Sequence, residues 1–251
     1  AEAEENNLDW EVKNPRWKRW YECRLCEQSY HGVVRCALGW ACWKTYLGRP
    51  ETDQVRGLAM TQLGNGLSQA GRHEDALSVR EAELAVLRRV GGSEERMLVA
   101  QGNLATTSHL LKRTEESMHL RREVYSGYVK LLGEEHAYTL VTANNYATIL
   151  VDLQRFEEAK SLLRKTLPVA RRVLGSSNDV TLRMRCLYAN ALYRDSNATL
   201  DDLREAVETF HDTDRIARRV LGSAHPTVRS TELGLQRSRA RLGGYEARGI
   251  C

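Results

Sequence analysis

Four residues near the start of the chain have types and spacing that could hold a metal ion. Cys23, Cys26, His31 and Cys36 read C-x2-C-x4-H-x4-C. Zinc takes four nitrogen or sulfur ligands in a tetrahedron, and a CxxC turn supplies two of them from one loop. Cys42 lies close enough along the chain to substitute for one ligand. All five Trp (Trp10, Trp17, Trp20, Trp40 and Trp43) fall in the same stretch, before residue 44.

The spacing resembles that of CCHC zinc knuckles, and the resemblance implies a single-stranded nucleic-acid reader that stacks bases on aromatic rings. The glycines that let a knuckle chain turn are replaced here by Glu27 and Tyr30. A competing reading makes residues 30–48 a degenerate helix. Val33, Cys36, Gly39 or Trp40, and Trp43 then form one apolar stripe, with Gly32 as the small residue where helices cross. Residues from about Asp9 to Cys23 would be the preceding helix. The knuckle needs Cys36 on a turn, whereas the helix needs it mid-stripe as a small core residue. Both readings treat 9–47 as a Trp- and Cys-rich N-terminal cap, either a degenerate repeat or a small zinc site. Residues 1–8, AEAEENNL, read as a disordered acidic tail.

What must position these residues is a repeat. Glycine recurs at Gly48, Gly91, Gly133, Gly175 and Gly222, with spacings of 43, 42, 42 and 47 residues. ARRVLG at 170–175 returns unchanged at 217–222, and LRRVGG (87–92) and VKLLGEEH (129–136) are variants. A period in the forties marks a solenoid, in which each unit buries its apolar face only against its neighbours. Residues 133–174 show how the unit is built. Leu140, Ala143, Tyr146, Ala147, Leu150 and Leu153 form the stripe of a first helix. Ala159, Leu162, Leu163, Leu167, Ala170 and Val173 form that of a second. Glycine then closes the unit, because a left-handed residue after a helix costs it nothing sterically. Small residues recur at the helix crossings, namely Gly64, Ala105, Ala147 and Ala189 in first helices and Ala76, Ser117, Ala159 and Ala206 in second ones. The units span 48–90, 91–132, 133–174 and 175–221, with a capping helix at 226–242, in a solenoid over 48–251. Pro226 suits a helix start. Pro168 falls inside a second helix and is expected to kink it. DSNAT at 195–199 adds about five residues between the helices of the fourth unit.

With the turns GRHEDA, KRTEES and QRFEEA, this pattern resembles the tetratricopeptide repeat, and its 42-residue length resembles the kinesin light chain variety. The resemblance covers roughly residues 48–242. It implies an all-α fold, a right-handed superhelical solenoid of antiparallel helix hairpins, whose first helices line a concave groove for partner peptides. Carried over position by position, the groove comprises Asn65, Thr106, His109, Asn144, Asn145, Thr148, Arg183, Asn190 and Arg194. Asn suits the role, since its amide offers a donor and an acceptor to a peptide backbone.

Composition sets the remaining bounds. A net charge of +4, with 28% charged residues, does not by itself call for nucleic acid or membrane. No apolar run reaches the ~20 residues that span a bilayer. Phosphate-loop, GxSxG and HExxH motifs are missing. His136 and His225 recur at repeat starts as structural residues, and Glu157 and Glu158 offset a helix dipole. Cys186 reads as packed. The sequence therefore reads as a non-catalytic, cytoplasmic protein-interaction scaffold that binds a partner peptide, similar to cargo recognition by kinesin light chains. It would take no membrane, no small-molecule substrate and no cofactor, with zinc admitted only through the Cys/His set. The alternative is a zinc-binding regulatory or nucleic-acid module carried on a repeat platform. The chain starts at Ala1, which suggests a fragment.

Overall fold

The computed structural model describes residues 17–248, so the acidic tail and most of the helix expected before Cys23 lie outside the described residues. The described residues form ten α-helices and no strand beyond an isolated bridge, and the fold is all-α. The chain divides into two compact units, residues 1–117 and 118–251.

In the first unit, α1 (Gly32–Tyr46) packs on α2 (Gln54–Gln69), α2 on α3 (His73–Val90), and α3 on α4 (Glu94–Leu110). Cys36 lies mid-helix and buried, against Leu63, Leu67 and Ala76. The helices α1 and α2 cross on glycines other than the one expected. A Cβ on Gly39 would lie 2.9 Å from the Gln62 carbonyl oxygen, and one on Gly66 would lie 2.7 Å from that of Arg35. Gly32 has open space around it and instead starts α1 at φ +55°. Before it, Glu22 bridges Ser29 in a tight hairpin, where a helix reaching Cys23 was expected.

Helix α5 (Thr114–Leu132) begins in the first unit and continues in the second. There α6 (Ala137–Asp152) pairs with α7 (Phe156–Val173), α8 (Asp179–Arg194) with α9 (Leu200–Leu221), and α10 (Pro226–Arg248) closes on α8 and α9. The closing helix is longer than the 226–242 read from sequence, and α7 continues as one helix through Pro168. Ala147, Ala159, Ala189 and Ala206 are all fully buried at the helix crossings, with Leu163 and Phe210 filling the space beside them. Burying each of those two large side chains contributes on the order of 2–3 kcal/mol.

Local chemistry sets the ends of the hairpins. Gly91, Gly133, Gly175 and Gly222 sit at φ between +67° and +93°, a region that costs other residues about 1–2 kcal/mol. Gly48 is not among them, and α1 ends through right-handed Leu47. At the repeat starts one capping position is filled by four residues: Asp53, His136, Asn178 and His225. Each accepts the backbone N–H two residues on, over 2.7–3.3 Å, satisfying a donor the helix leaves open.

Candidate peptide-binding face

In the second unit the first helices lie side by side, α8 touching both α6 and α10. Thus α6 and α8 are neighbours, and each carries several of the expected groove residues. On α6, Asn144 is buried, 4% exposed, and its Nδ2 donates to Asn145 Oδ1 over 3.3 Å. Asn145 is half-buried, and its carbonyl accepts Arg121 Nη1 at 3.1 Å. The Thr148 hydroxyl donates back to the Asn144 carbonyl at 2.8 Å. On α8, Asn190 is half-buried and its Nδ2 donates to the Cys186 carbonyl at 2.8 Å. Arg183 is exposed and pairs with Asp179 at 3.1 Å, while exposed Arg194 lies over the Phe156 ring.

This bonding leaves a donor on one helix and an acceptor on the next. Asn145 accepts through Oδ1, so its Nδ2 is open, and Asn190 donates through Nδ2, so its Oδ1 is open. A peptide backbone offers the complementary pair, C=O and N–H, at every residue. Asn144 is the expected groove residue that cannot reach a ligand directly. Its Oδ1 is buried with no hydrogen bond, which leaves it supporting Asn145 from beneath.

The first unit uses its equivalent residues differently. Asn65 Oδ1 accepts Arg80 Nη2 at 3.0 Å, and Arg80 Nη1 reaches the Asn103 carbonyl and the Thr107 hydroxyl. Arg80 is 4% exposed, and its burial pulls its pKa down. Gly64 makes room for its stem, which a Cβ there would meet at 3.3 Å. Thr106 is exposed and bonds the Gly102 carbonyl at 3.0 Å, and His109 is half-buried. Sequence reading missed Arg80 and Arg121, although a signal was present. Each follows a small crossing residue, Ala76 or Ser117, by four positions, where the later units carry Leu163 and Phe210.

The Cys/His set is not gathered. Cys23 is half-buried, Cys26 exposed, His31 exposed just before α1, and Cys36 turned into the core. Among the described residues no group of three or more His, Cys, Asp or Glu is placed to hold a metal. Cys42 and Cys186 are buried, and burial pushes both thiols up to about 12, which keeps them protonated and unreactive. No described helix is long and apolar enough to cross a membrane.

The sequence model described as tetratricopeptide repeat matches residues 96–171 and 138–200. A search of curated proteins found no match. Among solved structures, the nearly identical TPR-like repeats of a putative kinesin light chain from Podosopora anserina are 22% identical. They cover 81% of this chain and 93% of theirs, with a TM-score of 0.63. BtubC (BKLC) from P. vanneervenii is 13% identical over 84% of this chain and 91% of its own, TM-score 0.58. A Rap protein complexed with competence and sporulation factor is 12% identical over 84% of this chain and 60% of its own, TM-score 0.56. Residues 96–200 thus match the tetratricopeptide repeat by sequence, and the described helices share the fold of kinesin light chain-like repeats.

Proposed function

We propose that this chain is a non-catalytic interaction scaffold of the cytoplasm that holds an extended segment of a partner protein against α6 and α8. The observation that carries this reading is the open pair of amide groups, Asn145 Nδ2 and Asn190 Oδ1, on neighbouring first helices. Exposed Arg183 and Arg194 on α8 add a preference for a segment with an acidic side chain or a C-terminal carboxylate. The Rap protein of like fold was solved in complex with competence and sporulation factor, which supports the fold's capacity to hold a partner.

The test is selection of a random-peptide phage library on the full chain, followed by affinity measurement with Asn145→Ala/Asn190→Ala. Two neutral hydrogen bonds, at about 0.5–1.5 kcal/mol each, correspond to a loss of about fivefold to 150-fold. Helicity should stay unchanged. Recovery of no peptide, or a selected peptide that binds the double variant equally well, would contradict the proposal.

A further inference from the structure

Arg185 is a buried cation that the fold leaves short of acceptors. It lies on α8, which packs against both α7 and α9. Tyr188, three residues on, shows how the three helices close up when their polar groups match. Arg164 of α7 donates to the Tyr188 hydroxyl at 3.3 Å, and that hydroxyl donates to Glu205 of α9 at 3.0 Å. Around Arg185 the charges differ. There α9 offers Asp212, seven residues after Glu205, and α7 offers Arg171, seven after Arg164. Seven residues are close to two helical turns, so each stands on the same side of its helix as the earlier residue. The Thr181 hydroxyl donates to the Ala170 carbonyl at 3.4 Å, which holds this end of α7 against α8.

Arg185 is 7% exposed. Its Nη2 comes no closer than 4.0 Å to Asp212 Oδ2, too long for a hydrogen bond, and its Nε is buried with no acceptor. Asp212 is shared besides, since Arg215 Nη2 and His211 Nδ1 approach its other oxygen at 3.5 and 3.9 Å. Exposed Arg171 has no ion pair among the described residues. Three guanidinium groups therefore stand against one carboxylate, a surplus of two positive charges. Burial, with Arg171 nearby, pulls the Arg185 pKa below its ordinary 12.5, and Asp212 opposes this only in part. The equivalent position, four before the small crossing residue, carries Met60, Gln101 and Ala143 in the earlier units. A buried charge is as a rule paired or hydrogen-bonded, so Arg185 calls for an acceptor that this chain does not supply.

We propose that the junction of α7, α8 and α9 binds a phosphate group, held by Arg185 together with Arg171 and Arg215. A phosphate dianion matches the surplus charge and presents several acceptor oxygens, which guanidinium groups bind through paired hydrogen bonds. Inorganic phosphate and the phosphate of a modified partner side chain share this chemistry. The site is separate from the proposed peptide face. Asn190 follows Arg185 by five residues, roughly 140° around α8.

The test titrates the full chain with inorganic phosphate or with chloride at constant ionic strength, which holds general screening fixed. The Nε–H NMR signal of Arg185, assigned through Arg185→Met, should move to saturation with phosphate and stay still with chloride. Arg171→Gln and Arg215→Gln change exposed side chains and keep the fold, so they decide the matter even if Arg185→Met fails to fold. Each should weaken phosphate binding about two- to fivefold. The second arm uses acetylated, amidated phosphoserine. Binding as tight as that of phosphate or tighter assigns the site to a modified partner side chain, and binding of phosphate alone assigns it to the free ion. The proposal is overturned if neither ligand saturates the Arg185 signal or if chloride moves it equally. It is also overturned if both Gln variants bind phosphate as well as wild type.

Discussion

Lys160 Nζ lies 3.1 Å from Asp195 Oδ2, joining the second helix of one hairpin to the first residue of the insertion in the next. The Lys160 side chain is 5% exposed and that of Asp195 10%, while Glu157 reaches the same ammonium from a solvent-exposed position at 2.5 Å. The insertion DSNAT is therefore a folded connection. Asp195 also accepts the Asn197 N–H at 2.9 Å, and Thr199 and Asp202 cap the start of α9 reciprocally. Burial alone would raise the Asp195 carboxyl, but the Asn197 N–H and Lys160 outweigh it and hold the pKa below the ordinary 3.8.

Removing the carboxylate leaves Lys160 buried beside only the exposed Glu157. Asp195→Ala is expected to cost about 3 kcal/mol, at the lower end for a broken buried pair because Glu157 remains. The wild-type contribution of Asp195 is present above its unfolded pKa and lost as pH falls through the lower folded value. Urea unfolding from pH 7 down to pH 2 checks both. A variant equal to wild type at pH 7 would contradict the pairing.

Glu83 works in the opposite sense. It is 5% exposed, accepts the Thr61 hydroxyl at 2.5 Å on one oxygen, and leaves the other buried without a hydrogen bond. Desolvation raises its pKa above 4.5, against the pull of Thr61, Arg80 and Arg96. The native state therefore binds the proton more tightly, so stability falls as pH rises from the unfolded value through the folded one. Glu83→Gln should be more stable than wild type at pH 8, with the advantage fading below pH 4. A destabilised Gln variant at pH 8 would contradict this.

Each of three hairpins turns on a left-handed residue: Gly71, Lys112 and Gln154, at φ +77°, +62° and +60°. Two of the three pay the penalty that glycine avoids. Gln154→Gly should therefore stabilise by up to about 1 kcal/mol, the gain in strain exceeding the loss in chain entropy. Gly133→Ala, at φ +84°, should destabilise by about 1–2 kcal/mol. Thermal melts of the two variants should move in opposite directions.

The repeat-start cap is a position for a side-chain acceptor, whatever residue supplies it. His136→Ala should cost about 1 kcal/mol and His136→Asn close to nothing, because Asn178 fills the same role one repeat later. Chemical denaturation measures both. Equal losses would mean that the imidazole serves by packing on Tyr138, its ring neighbour at 5.5 Å.

The hairpins were legible because their signals are local. Glycines at C-termini, alanines at crossings and apolar residues at helical spacing each act within one unit. Cys36 was ambiguous because a small apolar thiol serves a core and a metal equally well, and only its packing on Leu63 and Leu67 separates the two. The polar row was legible as a row. Its occupancy was not, because that depends on side-chain contacts the period does not specify. Arg80 engages Asn65 from the next helix, and Asn144 disappears beneath Asn145. A period shows which residues are equivalent, but it does not show which of them a neighbouring side chain has already taken.

The most direct measurement follows the side-chain amide NMR signals of Asn145 and Asn190 during titration with a peptide selected on the full chain. Binding on the α6–α8 face requires both to shift in step with occupancy, with Asn144 following through its bond to Asn145 and Asn65 unmoved. Saturation by the peptide with Asn145 and Asn190 both stationary would place the ligand elsewhere and contradict the account.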